Sequence, residues 1–376
     1  MLKFLHLAGY ALYLGCVFLA GLIPLPVVFL FGKCLGALAY HLLRKRRRLA
    51  MSNMVAALGV GEPMARKLAR RHFRNLGANL LSMLKIPAMS DARLWGHVTV
   101  EISRKISPKP DSKGWVAVMS HMSNWELLGW LLPKLLPDYR FGAVYQKLVN
   151  GYVNRHFNKS RARFGVTLFD RREGYWSSVA FLKSGGVVGV LADQYAGVPG
   201  TWMPFFGRLT STSTLAAVLA QRAGVGLVPI TINTTGLARW HVVVGNPLAR
   251  GTSPEIATAS VNRELESQIS ASPADWLWSH DRWKTPRLGF LLTASHRRVF
   301  LPPGFSRSKL VPYRILVRSV DDPAEAEMSV PAVRAIKHGR PDAHVTVVAT
   351  EALAGFWKAV AEVDEVIPFS AGESAL

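Results

Sequence analysis

The stretch that decides the fold is Val118-Met119-Ser120-His121-Met122-Ser123-Asn124-Trp125-Glu126-Leu127. An apolar run, Trp115 to Met119, reads as a strand, and the polar residues behind it read as a loop opening into a helix. Strand, loop and helix in that order are the repeating unit of an α/β domain. The loop carries H-x-x-x-x-E, His121 and Glu126. A histidine at a strand exit, backed by a carboxylate, can take a proton from a hydroxyl group. Five residues of helix turn through roughly 500°, so the two side chains would not share a face if both were helical. They can meet if His121 sits in the loop and Glu126 in the first helical turn. Ser123-Asn124-Trp125-Glu126 supplies a capping box for that turn. The spacing also fits a plainer role, in which Glu126 only caps the helix and His121 is a polar loop residue.

Outward from this point, strand-like and helical stretches alternate. Strands are expected at Trp115–Met119, Phe141–Tyr145, Val187–Ala192, Val225–Ile232 and Trp240–Val244. Helices are expected at Trp125–Leu136, Leu148–Arg163, Trp176–Lys183, Thr212–Ala223 and Pro254–Ser270. The alternation predicts an α/β fold with a mostly parallel central sheet flanked by helices.

The chain has 376 residues, 49% hydrophobic and 19% charged, enough for two domains and too apolar for disorder. Its 46 Lys and Arg against 24 Asp and Glu give a net charge of +22, which suits a polyanionic partner. The N-terminus decides which one. Phe4 to Gly32 contains no Lys, Arg, Asp or Glu, and Arg44-Lys45-Arg46-Arg47-Arg48 follows it. Residues 1–48 read as a membrane anchor or interfacial hairpin with a cytoplasmic basic run. A signal peptide ending near Ala37-Leu38-Ala39 and a buried helix are the competing readings. An anionic membrane is therefore the expected partner, and nucleic acid is not. Arg66, Arg70, Arg71 and Arg74 recur near helical spacing behind the basic run, facing headgroups or water. Cys16 and Cys34 suit neither a disulfide framework nor a zinc site.

The domain expected to carry the chemistry runs over residues 49–298, followed by a linker at 299–311. Residues 312–376 then read as strand, helix, strand, helix, strand, half of a doubly wound unit.

Further constellations lie downstream of His121. Arg161 and Arg163 could hold a phosphate or simply end a solvated helix. Asp193 closes an apolar strand at its carboxyl end, where α/β sites lie, though Asp is also common in turns. Thr212, inside Thr210-Ser211-Thr212-Ser213-Thr214, would present a hydroxyl at a helix start, either to an anion or as a cap. Trp276 to Arg287, with Arg282 and Lys284, mixes aromatics and bases as a membrane interface or a site wall would. There is no G-x-S-x-G elbow, Walker loop, G-x-G-x-x-G or metal-ligand spacing, so no metal or cofactor is expected. A base, a carboxylate, cations and an anchor suffice for attack of a hydroxyl on an activated acyl group.

Taken in order, these blocks resemble the late acyltransferases of lipid A assembly, the lauroyl and myristoyl transferases, over roughly Leu2 to Arg287. The likeness rests on the anchor, the basic run with Asn53 behind it, His121-x-x-x-x-Glu126, and Arg161-x-Arg163 with Asp170-Arg171. It continues through Asp193, the Pro204–Gly207 segment and Trp278-Ser279-His280-Asp281-Arg282-Trp283-Lys284-Thr285. It implies a glycerolipid-acyltransferase-like fold and a bacterial inner-membrane enzyme with its site at the cytoplasmic face. Such an enzyme moves a fatty acyl chain from acyl carrier protein to a hydroxyl of a lipid A precursor. By that resemblance His121 is the general base, Glu126 orients it, and Arg161 with Arg163 binds phosphate or the developing oxyanion. Asp193, Thr212, Arg282 and Lys284 join them as substrate-binding candidates. Gln146 after Tyr145, and Tyr195 two residues beyond Asp193, depart from the family pattern and bear on the acceptor. Another glycolipid, such as a phosphatidylinositol mannoside, is the alternative acceptor. A non-catalytic scaffold, or half of a bifunctional protein, is the alternative of another class.

Tyr313–Arg318, Val330–Ile336 and Val363–Phe369 resemble the first half of the heptosyltransferases, glycosyltransferase family nine. That family's Gly-Asp pair is replaced here by Val320-Asp321-Asp322-Pro323-Ala324-Glu325, and its nucleotide-sugar half is absent, so no glycosyl transfer is expected.

Overall fold

The computed structural model describes residues 2–106, 114–197, 199–249, 253–284 and 299–370. Four helices open the chain: α1 (Leu2–Leu22), α2 (Leu25–Leu42), α3 (Arg44–Leu58) and α4 (Glu62–Lys85). Pro24 and Pro26 end the first apolar helix and start the second, so the apolar N-terminal segment folds as two helices. Gly32 and Gly36 of α2 let that helix lie directly on α4. A Cβ at Gly36 would stand 2.1 Å from the carbonyl oxygen of Phe73, and one at Gly32 would stand 2.6 Å from that of Gly77.

A short helix, α5 (Asp91–Trp95), leads into β1 (Val98–Ile102) and then β2 (Trp115–Met119). There follow α6 (Leu127–Leu135), β3 (Phe141–Tyr145), α7 (Gly151–Arg163), β4 (Val166–Asp170), α8 (Trp176–Lys183) and β5 (Val187–Leu191). After a hairpin of β6 (Thr201–Phe205) and β7 (Arg208–Thr212) come α9 (Leu215–Ala223), β8 (Gly226–Gly236), β9 (Arg239–Val244) and α10 (Pro254–Ala271). Seven strands form one sheet in the order β1-β9-β8-β2-β5-β3-β4, parallel at every pairing except β8 with β9. The α/β class with a mostly parallel sheet is as expected. The central strands WVAVM and VVGVL are apolar at nearly every position because helices cover both faces. Trp130, Leu131 and Leu132 of α6 and Trp240 of β9 anchor the core. Each such buried side chain is worth about 1.5–3 kcal/mol relative to exposure.

By its internal contacts the chain divides into two units: Met1–Gln194 with Ser213–Arg282, and Tyr195–Thr212 with Trp283–Leu376. From the sequence, residues 49–298 are expected to form one domain, and 299–311 a linker. In the structure the hairpin and that segment belong together. The N–H of Phe300 donates to the carbonyl of Trp202, that of Val311 donates to the carbonyl of Gly207, and Leu310 is buried with Trp202 and Leu209. The same unit holds β10 (Tyr313–Arg318), α11 (Pro323–Gly339), β11 (Ala343–Thr350), α12 (Glu351–Lys358) and β12 (Glu365–Phe369). Its three strands are parallel in sequential order, the Rossmann-like half-unit expected from the sequence. Arg340, buried and doubly bonded to the buried Asp342, lies over the rings of Trp202 and Tyr313 and so ties hairpin to sheet.

Candidate active site

Strands β2 and β5 are neighbours in register, Met119 beside Leu191, so the sheet delivers the two residues just beyond them to one place. These are His121 and Asp193. The Asp193 carboxylate accepts from His121 twice, from the ring at Nδ1 (2.7 Å) and from the backbone N–H (2.8 Å). Its second oxygen also accepts from the indole N–H of Trp276 at 2.7 Å. A carboxylate on Nδ1 fixes the proton there and leaves Nε2 free to accept another. The side-chain amide of Gln194 donates to that Nε2 at 3.4 Å, and the Trp125 ring packs edge-on against the imidazole.

Charge follows geometry. Asp193 is 1% exposed, and burial alone would raise its carboxyl; the adjacent His121 and three hydrogen bonds outweigh that and hold it at about 2. Burial pushes the His121 imidazole down, but the charge and hydrogen bond of Asp193, helped by the charge of Glu126, leave it raised above 6.5.

Glu126 is not the orienting partner that the sequence suggested. It accepts two hydrogen bonds from Arg161, at Nε (3.1 Å) and a terminal nitrogen (2.6 Å), a bidentate pair. Nor does the expected capping box form. Ser123 has φ 48°, in the left-handed region, and its hydroxyl meets that of Thr234 at 2.7 Å instead of capping α6. The loop is held from outside: Ser123 N–H donates to the Asp275 carbonyl, and Met122 bridges to Trp276. Buried Asp275 accepts in turn from Asn75, Ser272 and the backbone of Thr234. Asn53 of α3 donates to the carbonyls of Trp278 and His280, so the helix bearing the basic run secures the segment that holds Asp193.

The Glu126–Arg161 pair stands in the wall of a crevice otherwise mostly apolar. Tyr13 and Val17 of α1, Met83 and Leu84 of α4, and Phe157 and Phe164 are among its lining. The crevice volume is about 40 Å³. That is room for a few water molecules, so an extended acyl chain must part its walls.

The other expected site residues have different surroundings. Arg163 is exposed and stacks on Phe164; two positions from Arg161 on α7, it faces away. Arg282 is 0% exposed; burial lowers its guanidinium to about 10, while the charges of Asp193 and Glu266 act the other way. It sits inside the first unit as a buried neighbour of Asp193. Thr212 ends β7 in the second unit, buried, not at the start of α9. Lys284 is exposed in that second unit, and Thr285 to Arg287 lie outside the described residues. Trp276, Asp275 and Gln194 were missed as site residues. The first lay within a quoted block, but nothing local to it points at Asp193.

Trp276 offers a direct test of this arrangement. Trp276→Phe removes a donor from Asp193, leaving more of the carboxylate charge for the imidazolium. The His121 pKa should therefore rise further, since a less solvated carboxylate charge favours the imidazolium more strongly. The charged groups sharing this environment are Asp193, Glu126, His280 and Arg282. Trp278→Phe, which removes a neighbouring indole bonded to the Pro273 carbonyl, should leave the His121 titration in place. Histidine resonances followed by NMR across pH check both.

A histidine–carboxylate pair at adjacent strand exits and a Glu126–Arg161 pair on an apolar crevice are the arrangement that the fold builds. The chain belongs to the bacterial lipid A biosynthesis acyltransferases, whose family model matches residues 2–285. It is 25% identical over 282 residues to the lipid A biosynthesis palmitoleoyltransferase of Escherichia coli strain K12, covering 73% of this chain and 91% of that one. The lipid A biosynthesis lauroyltransferase of the same strain is 24% identical over 283 residues, covering 72% and 90%. A lipid A biosynthesis acyltransferase of Shigella flexneri is 25% identical over 282 residues, with coverage of 73% and 91%.

Proposed function

We propose that this acyltransferase moves a fatty acyl chain from the thioester of acyl carrier protein to a hydroxyl of a lipid A precursor, at the cytoplasmic face of the bacterial inner membrane. The supporting observation is the His121–Asp193 pair, with Nε2 available, next to the Glu126–Arg161 pair on an apolar crevice. His121 Nε2 takes the proton of the acceptor hydroxyl as its oxygen bonds to the thioester carbonyl carbon. The carbonyl π electrons move to oxygen, and Arg161 stabilises that oxyanion. Collapse re-forms the carbonyl and breaks the C–S bond; the imidazolium returns the proton to the leaving thiolate. Asp193 keeps the imidazole in the right tautomer and stabilises its charged form. Glu126 holds the Arg161 guanidinium in place and favours the imidazolium through space. The acyl chain parts the apolar walls of the crevice.

Purified protein, acyl carrier protein loaded with chains of different length, and a lipid A precursor constitute the assay. Mass spectrometry should show the precursor heavier by one acyl group. An unchanged precursor, with a different glycolipid acylated in parallel incubations, would move the assignment to that acceptor.

A further inference from the structure

By length and composition both α1 and α2 could cross a bilayer. Their packing says otherwise. We propose that the two helices lie in the plane of one leaflet with anionic headgroups, and that α1 does not span the membrane.

The residues of α1 meet those of α7 in ascending order. The Asn150 side chain donates to the His6 carbonyl, Tyr10 stacks on Tyr152, and Tyr13 packs on His156 and Phe157. Val17 then shares the crevice wall with Ser160 and Arg161. At the far end the Lys85 ammonium donates to the Gly21 carbonyl at 2.6 Å. Thus α7 runs beside α1 across its middle, and α7 exposes Arg155, Lys159 and Arg163, four residues apart on one side. Were α1 transmembrane, those cations would stand at the depth of the hydrocarbon centre, where exposed charges are not found. The same holds for α2. It lies against α4, Gly32 on Gly77 and Gly36 on Phe73, and α4 carries Arg70, Arg71 and Arg74.

What both helices turn outward is apolar. On α1, Leu5, Leu12 and Leu19 are exposed seven residues apart; on α2, Phe31, Leu35, Leu38 and Leu42 form a second stripe. A helix pair with a polar body behind it and an apolar face in front fits a membrane interface. Charge selects the lipid. Seven Lys and Arg precede the first carboxylate of the chain, Glu62, and Arg44, Lys45, Arg46 and Arg48 are exposed directly beyond α2. Because Tyr13 and Val17 line the crevice, an in-plane α1 brings that wall to the depth at which lipid chains begin.

The test needs no turnover, so it stands apart from the acyl-transfer reading. In full-length protein with Cys16→Ala and Cys34→Ala, single cysteines are placed by Lys3→Cys, Ile23→Cys and, as a control on the catalytic unit, Lys183→Cys. Inverted and right-side-out vesicles from expressing bacteria are treated with a membrane-impermeant maleimide. All three positions should label from the same side. Labelling of positions 3 and 23 from opposite sides overturns the proposal, as does recovery of the protein as a soluble dimer joined through these faces.

Discussion

Replacing His121 with alanine is expected to lower acyl transfer about 10²–10⁴-fold, the range of a positioned general base, with the fold retained. The imidazole carries the basic nitrogen that Asp193 orients, and the backbone N–H of residue 121 does not depend on the side chain. Asp193 would therefore keep two of its three hydrogen bonds, from that N–H and from Trp276. Some stability is lost, because a buried carboxylate gives up a charged partner. A melting curve shows that the variant is folded, and the kinetics then report chemistry. His121→Gln serves as a second variant, since its amide can still donate to Asp193 without acting as a base. Activity at the wild-type level in a folded variant would remove His121 from the mechanism.

The second large effect is expected of Asp193→Asn. An asparagine can keep its oxygen on the His121 backbone N–H and the Trp276 indole, turning its amide toward the ring. The amide then donates to Nδ1 and forces the proton onto Nε2, where the hydroxyl must deliver its own. A fall of about 10³–10⁴-fold in kcat/KM is the scale of a wrong tautomer with an unsupported imidazolium. The pH profile adds a signed test. In the wild type the imidazole must be neutral to act, and its pKa is raised above 6.5, so activity climbs through an acid limb above that value. Without the Asp193 charge, burial dominates, and the acid limb of the residual activity should move to lower pH. Trp276→Phe moves it the other way, and opposite shifts from two contacts of one carboxylate are not what a general loosening of the fold would give.

The strands carrying His121 and Asp193 were legible because their apolar runs are unbroken and end in polar loops. Which carboxylate faces the histidine was not. Glu126 is near in sequence, but Asp193 lies 72 positions away and reaches His121 only because β5 lies beside β2 in the sheet. Strand order is a long-range property, and local spacing carries no record of it. The pairing of Glu126 with Arg161 escaped for the same reason. The divergence of Arg161 from Arg163 was within reach, since helix geometry separates positions two apart. Strands β1 and β4 were missed because each buries only part of its residues, and the hairpin because Pro204 and Gly207 break its apolar pattern. The two N-terminal helices announced their apolarity, but not the glycine contacts that bind one of them flat to α4.

The guanidinium of Arg340, gripped by Asp342 and layered between the rings of Trp202 and Tyr313, has a bearing on how this gene can change. Trp202 belongs to a hairpin encoded well upstream, whereas Arg340, Asp342 and Tyr313 belong to the tail. A frameshift or stop codon after residue 310 would strip the indole of its cation. In this chain, changes in the tail are therefore felt at the hairpin's indole, and changes at Trp202 are felt by the Arg340–Asp342 pair.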